Sequence, residues 1–259
     1  MIRFSERPLE EDPGPSSEKS KIAEVIAIVA HQLRHPISVI KNYLESLISE
    51  DFGKLNDKQK EYLDDALENI RRITKTISHL LDVSRIEEGR YDLKLEPISL
   101  VEITGSVIEE LTIWAEAYNC EVIFKKPKQI LPPVLTDVIK IREVIENLVT
   151  NAIKYKKAGK GRVEVFLEKQ GKEIMFSCKD NGIGVPKEDF KKVFSKFYRS
   201  EEAMEIDPSG SGLGLYLSKA TVEASGGKIW LSKNRDFGLT FSFTLPIFSA
   251  SLFVSKPKY

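Results

Sequence analysis

The sequence predicts a helical hairpin that dimerises into a four-helix bundle, followed by an α+β two-layer sandwich with helices on one face of a mixed sheet. Three observations carry this fold class. Ile22, Ile26, Val29, Leu33, Ile40, Leu44 and Leu47 recur at helical spacings, and Leu63, Leu67, Ile70, Ile73, Ile77, Leu80 and Ser84 repeat the pattern after a polar break. Beyond Gly89 the texture changes to short alternating runs mixed with amphipathic stretches. A single hairpin, finally, cannot cover two apolar stripes of this width, so a second hairpin is expected against it.

In order, residues 1–20 carry prolines, serines and charges without a period and read as a flexible arm. The hairpin takes residues 21–90. Its first helix ends at the turn "SEDFGKLND", and its second runs from about Asn56, a side chain suited to capping, to Glu88 before Gly89. The sandwich takes residues 91–248. "YDLKLEPISL" reads as a strand, "VEITGSVIEELTIWAEAY" as a helix, "EVIFKK" as a strand and Asp137 to Lys157 as a helix. "RVEVFLEK" and "EIMFSCKD" read as strands, Leu213 to Ala224 as a helix, and "KIWLSK" and "LTFSFTLPI" as strands. Residues 249–259 form an apolar C-terminal extension.

Composition narrows the function classes. The chain has 259 residues, 41% hydrophobic and 30% charged, with 39 basic residues against 39 acidic ones. That balance offers no global field for nucleic acid or an anionic membrane. No apolar run approaches the ~20 residues of a membrane span. Cys120 and Cys178 lie far apart without ligand-like spacing, as expected of free, buried thiols in a reducing compartment such as the cytoplasm.

The stretch "AHQLRHPISVIKNYL" sets two histidines four residues apart. With Val29 at 0° and 100° per residue, the apolar stripe of this helix falls within about 0° to 60°. His31 falls at about 200° and His35 at about 240°, so both point away from the bundle core. An i, i+4 pair can clasp zinc, but Gln32 stands where a metallohydrolase needs a carboxylate base. His79, the remaining histidine, lies in the second helix and has no evident companion ligand.

Four further motifs follow in order. "NLVTN" places Asn147 and Asn151 one turn apart on one helix face, with Lys154 and Tyr155 after them; such carboxamides can share a hydrated cation and phosphates. "DNGIG" sets Asp180 at a strand end before Gly182 and Gly184, where its carboxylate can accept the exocyclic amine of adenine. "GSGLGL" puts Gly210, Gly212 and Gly214, with Leu213 between, at the start of a helix, where backbone amides can meet phosphate oxygens. "VFSKFYR" offers Phe194, Phe197 and Tyr198 as anchors and then Arg199, beside the polar segment "SEEAMEIDPS", which suits a movable lid.

Together these residues resemble a sensor histidine kinase of two-component signalling over nearly all of residues 21–247. "HQLRHPISVIKNYLESL" resembles the family's H-box and Asn147 to Tyr155 its N-box. "DNGIG", "FSKFYR" and "GSGLGLYLSK" resemble its G1, F and G2 boxes. The resemblance implies a homodimerising phosphotransfer hairpin joined to an ATP-binding domain of the gyrase, Hsp90, histidine kinase and MutL superfamily. It implies that His31 takes the γ-phosphoryl of ATP and passes it to an aspartate on a response regulator. It also implies that Asn151 ligates Mg²⁺ with Asn147 nearby, and that Asp180 reads adenine. Lys154, Tyr155, Arg199 and the glycine-loop amides would meet the phosphates. The chain would work in the cytoplasm, alone or as the cytoplasmic part of a longer sensor.

Two positions depart from the family pattern. Gln32 replaces the usual Glu or Asp after the phospho-acceptor, so the ring loses a charged partner. His35 replaces the usual Thr or Asn, which puts phosphatase activity toward the partner in doubt. An ATP-binding scaffold or phosphotransferase with weak kinase activity is the competing expectation, and a zinc or other enzyme the remaining one.

Overall fold

The computed structural model describes the backbone of residues 15–249, and the side chains of residue 26 and of residues 28–249. Most of the expected N-terminal arm and C-terminal extension therefore lies outside the described residues. The chain divides into two compact units, Met1–Tyr91 and Asp92–Tyr259.

The first unit is a pair of long helices, α1 (Pro15–Ile48) and α2 (Asp57–Glu87). α1 starts inside the stretch expected to be irregular. Pro15 explains this, because a proline at the first helical position has its φ already set and lacks an N–H that would be unpaired there anyway. Pro36 sits within α1, so the Gln32 carbonyl has no amide to accept from one turn on. α2 opens with a capping box: Asn56 Oδ1 accepts the Gln59 amide at 2.9 Å and Gln59 Oε1 accepts the Asn56 amide at 2.9 Å. It closes as a Schellman motif on Gly89 at φ 66°, with the Arg90 amide donating to Arg85 O at 2.8 Å and the Gly89 amide to Ile86 O at 3.0 Å.

In the second unit β1 (Glu96–Ile98) leads into α3 (Leu100–Ala117), β2 (Cys120–Lys125), β3 (Val134–Thr136) and α4 (Val138–Lys154). β4 (Gly161–Gln170) and β5 (Glu173–Asp180) follow, then α5 (Glu201–Ile206), α6 (Gly214–Ala224), β6 (Lys228–Lys233) and β7 (Leu239–Pro246). The main sheet has the order β2-β4-β5-β7-β6, parallel between β2 and β4 and antiparallel elsewhere. It is the mixed sheet the patterning predicts. Val163, Val165, Ile174, Phe176, Phe243 and Leu245 point from it into the core against Ile141, Ile145, Leu148 and Ile153 of α4.

Two differences from expectation have simple causes. "YDLKLEPISL" forms a strand only over β1, because its partner β3 is itself three residues long and nothing else pairs with the rest. The lid segment contains α5, whose six residues are too few to show a period, although Ser200 caps it by accepting the Ala203 amide at 3.2 Å.

Candidate nucleotide site and phospho-acceptor helix

The site in the second unit starts at α4. Asp137 caps this helix, its Oδ1 accepting the amides of Ile139 at 3.0 Å and Lys140 at 3.1 Å. Ile141, Val144, Ile145, Leu148 and Val149 bury the opposite face, which leaves Asn147, Asn151 and Lys154 along one half-buried edge. Asn147 Nδ2 donates to Ser218 Oγ of α6 at 3.0 Å. Its Oδ1 faces Gly214 so closely that a Cβ there would lie 2.4 Å away, so this glycine is required for the approach of α6 to α4. The Asn151 carboxamide makes no hydrogen bond among the described residues and keeps its oxygen available as a hard donor.

Asp180 ends β5 with its side chain buried. Oδ1 accepts the Gly182 amide at 2.8 Å and the Leu239 amide at 3.1 Å, which leaves Oδ2 without a hydrogen bond among the described residues. Burial pushes the carboxyl above its ordinary range, and the two amides oppose that push. Two neighbours that sequence reading missed hold the group in place. Asn234 Nδ2 donates to Asp180 O at 2.7 Å, and Gly238, at φ 80°, approaches that carbonyl so closely that a Cβ would lie 2.2 Å from it. The only sequence signal for them is the turn-like "NRDFG" between two strands.

Tyr155 contributes through its backbone: its carbonyl accepts the Ile183 amide at 2.9 Å and so holds the "DNGIG" loop to the end of α4. Gly184, at φ 79°, borders open space. In the glycine loop Gly212, at φ 69°, accepts the Phe197 amide at 3.0 Å through its carbonyl. Leu213 is buried by its side chain and offers only backbone, with its amide on Ser211 Oγ at 3.3 Å. Phe194 meets Phe241 edge-on at 6.3 Å and serves as an anchor, whereas Phe197 is 60% exposed at φ 62° and does not.

Arg199 is placed differently from the phosphate-facing role the resemblance implies. Nη1 donates to Pro208 O at 3.3 Å and Gly210 O at 2.9 Å, and Nη2 to Ala203 O at 2.7 Å and to Asp207 O. The guanidinium thus fastens the lid to the glycine loop. Lys154 pairs across to Asp207 of the same lid, Nζ to Oδ2 at 3.0 Å. Both cysteines are free and buried, and burial raises both thiols, well above the ordinary range for Cys178. Among the described residues no group of three or more His, Cys, Asp or Glu side chains converges on a metal position.

In the first unit His31, Gln32 and His35 are all exposed on α1, as helix geometry predicts for the two histidines. Residues 21–89, which include His31, match the His Kinase A (phospho-acceptor) domain. Residues 136–248 match the Histidine kinase-, DNA gyrase B-, and HSP90-like ATPase family.

The chain belongs to the sensor histidine kinases.

Sensor histidine kinase WalK of Bacillus subtilis is 34% identical to this histidine kinase over 225 residues, 86% of this chain and 36% of the relative. The non-motile and phage-resistance protein of Caulobacter vibrioides is 32% identical over 236 residues, 90% of this chain and 28% of the relative. The chain thus spans about a third of the length of these curated relatives. Full-length ShkA in complex with AMPPNP shares the fold at a TM-score of 0.69 and 23% identity, over 88% of this chain and 46% of that one. The catalytic domain of histidine kinase ThkA matches at a TM-score of 0.52 and 26% identity, over 60% of this chain and 98% of that one. No helix of the described residues is long and apolar enough to cross a membrane.

Proposed function

We propose that this histidine kinase binds ATP with Mg²⁺ in its second unit, transfers the γ-phosphoryl group to His31, and passes it to an aspartate of a separate response regulator. The observation that carries the reading is Asp180. Two amides on one carboxylate oxygen fix the group at the end of a core strand, while the other oxygen remains to accept an N–H. A buried acceptor held this way suits the exocyclic amine of adenine. The family match and the glycine loop at the start of α6 support the same ligand.

The residues around Asp180 fit the rest of a magnesium nucleotide. Asn151 supplies one neutral oxygen ligand, which with phosphate oxygens and water is the kind of set Mg²⁺ prefers. When bound, the ion neutralises charge on the phosphates. Lys154 and the glycine-loop amides add positive potential, Arg199 holds the glycine loop, and Tyr155 holds the neighbouring "DNGIG" loop. Asn147 stands where a hydrolysing relative needs a base. Its carboxamide is tied to Ser218 and cannot take a proton from water, which favours transfer over hydrolysis.

In the transfer, a ring nitrogen of His31 donates its lone pair to the γ-phosphorus, an N–P bond forms, and the P–O bond to ADP breaks with its electrons. The ring's other N–H is positioned by the Gln32 carboxamide oxygen, whose helix neighbour Pro36 leaves this turn one backbone hydrogen bond short. A carboxylate oxygen of the receiving aspartate then forms a bond to the phosphorus while the N–P bond breaks and its electrons return to the His31 ring. With His35 in place of the usual Thr or Asn, phosphatase activity toward the regulator is weak. Homodimerisation is supported by Val29, Leu33, Ile40 and Leu47, which remain 37–47% exposed along one stripe of α1. ATP chemistry and two unpaired thiols suit the cytoplasm.

Incubation with γ-labelled ATP and Mg²⁺ tests the reading. The expected product is acid-labile, alkali-stable label that is lost in His31→Ala. Nucleotide binding without label supports a scaffold instead, and label retained in His31→Ala moves the acceptor elsewhere.

A further inference from the structure

An ion pair, Lys154 with Asp207, joins the nucleotide-facing edge of α4 to the lid. Lys154 follows Asn147 and Asn151 at the i, i+4, i+7 spacing of one helix face, so its ammonium lies on the edge that carries the two carboxamides. Asp207 is fixed on every side. Its amide donates to Ala203 O at 3.1 Å, and its carbonyl accepts from Arg199 and from the Gly210 amide. Its Oδ1 accepts Ser209 Oγ at 2.5 Å and the Ser209 amide at 3.3 Å, which turns Oδ2 toward Lys154. A carboxylate held so firmly on a cation is a built anion position.

We propose that Asp207 is a positioning residue that competes with nucleotide phosphate for the Lys154 ammonium, so that phosphate enters by exchange with a lid contact. The inference rests on the proposed reading of the second unit as the ATP site and deepens it. One ammonium cannot hold the carboxylate and a phosphate oxygen at full strength together. Asp207 therefore weakens every phosphate that reaches Lys154 and returns the cation to the lid when nucleotide leaves. Burial alone would push the Asp207 carboxyl up, but the Ser209 hydroxyl and the Lys154 ammonium outweigh it and bring it down to about 2, so the competitor is ionised throughout the physiological range.

Binding of ATP and of adenosine to the whole chain, by calorimetry, tests this. Asp207→Asn is expected to tighten ATP about fivefold, the worth of one half-exposed ion pair, and to leave adenosine within about twofold. The exposed lid carboxylate of Glu205 is the control, and Glu205→Gln should leave ATP within about twofold. In a Lys154→Ala background the Asp207→Asn effect should vanish, which a merely structural role for Asp207 would not produce. If Asp207→Asn loosens the lid fold, Ser209→Ala, which frees the carboxylate from one holding bond, should tighten ATP by about twofold. ATP binding that is unchanged or weaker in the well-folded variant, or an effect that persists without Lys154, overturns the proposal. If neither adenosine nor ATP binds the unaltered chain, it is the nucleotide-site reading itself that fails.

Discussion

The two units solve burial in opposite ways. In the sandwich, Ile141, Ile145, Leu148, Val163, Phe176 and Phe243 are completely enclosed, and the proposed nucleotide contacts hang from that core on α4, at the end of β5 and at the start of α6. In the hairpin α2 encloses Leu67, Ile77 and Val83, yet Val29, Leu33, Ile40 and Leu47 of α1 stay between 37% and 47% exposed. The sandwich buries its apolar faces within the chain, and the hairpin leaves this stripe uncovered. The lesson concerns how each unit presents its proposed functional group. The carboxylate of Asp180 is precise because its surroundings are rigid, whereas the imidazole of His31 is available because the apolar stripe claims the other side of its helix.

The largest effect should come from Asp180→Asn. Oδ1 keeps its two amides, so the fold stands, but the free position now offers an N–H where the proposed adenine amine needs an acceptor. Donor facing donor in a buried place costs about 3 kcal/mol, or about a hundredfold in affinity for ATP, measured by calorimetry. Stability should move the other way. Burial raises the Asp180 pKa, so its stabilising contribution is present below the unfolded-state value and is lost as pH rises through the raised folded-state value. Relative to the unaltered chain, Asp180→Asn should therefore melt higher at neutral pH, with the gain fading as pH falls toward the carboxylate range. Equal melting at both pH values would break the idea that the rigid unit holds a destabilising charge for function.

Leu33→Asp with Leu47→Asp attacks the incomplete unit. Each leucine would give up about 1.5–3 kcal/mol of burial at the proposed dimer seam, so dimerisation should weaken by at least tenfold in light scattering. Adenosine binding should be unaffected. A dimer that survives both charges would show that the exposed stripe is not the seam.

A pair of glycines sharpens the account of the rigid unit. Gly238 and Gly184 have nearly the same φ, 80° and 79°, yet a Cβ at Gly238 would lie 2.2 Å from Asp180 O and one at Gly184 would meet nothing within 4 Å. Gly184→Ala should cost about 1 kcal/mol for the left-handed backbone alone. Gly238→Ala adds a clash with backbone and should cost about 3 kcal/mol, with adenosine binding lost in step, read from thermal melts and calorimetry. Equal costs would mean that the turn under Asp180 is softer than its hydrogen bonds suggest.

How far the sequence speaks also differs between the units. The helical period, Asn56, Gly89 and the outward position of His31 are local properties of one helix, and a sequence displays them directly. Asp180, Asn147 and the glycine loop announce themselves by type and spacing. Asn234, Gly238 and Ser218 do not, because each matters through a partner 54 to 71 residues away in the chain: Asn234 with Asp180 O, Ser218 with Asn147. The Asp207 to Lys154 pair spans 53 residues and is hidden for the same reason. Arg199 shows the reverse case, where residue type and neighbourhood suggest phosphate while the fold turns the guanidinium onto three lid carbonyls and one of the glycine loop.

The smallest effect tests the hairpin's chemistry. Gln32 offers a neutral oxygen beside a ring that becomes positive during transfer, and a carboxylate there would make a charge-assisted hydrogen bond worth about 1 kcal/mol more. Gln32→Glu should therefore raise the autophosphorylation rate about fivefold to tenfold at saturating ATP, with ATP affinity unchanged because the residue belongs to the other unit. The separation matters more than the size. A faster rate with unchanged affinity would show that acceptor chemistry is set on α1 alone, while an unchanged or lower rate would mean that the carboxamide already supplies the orientation transfer needs.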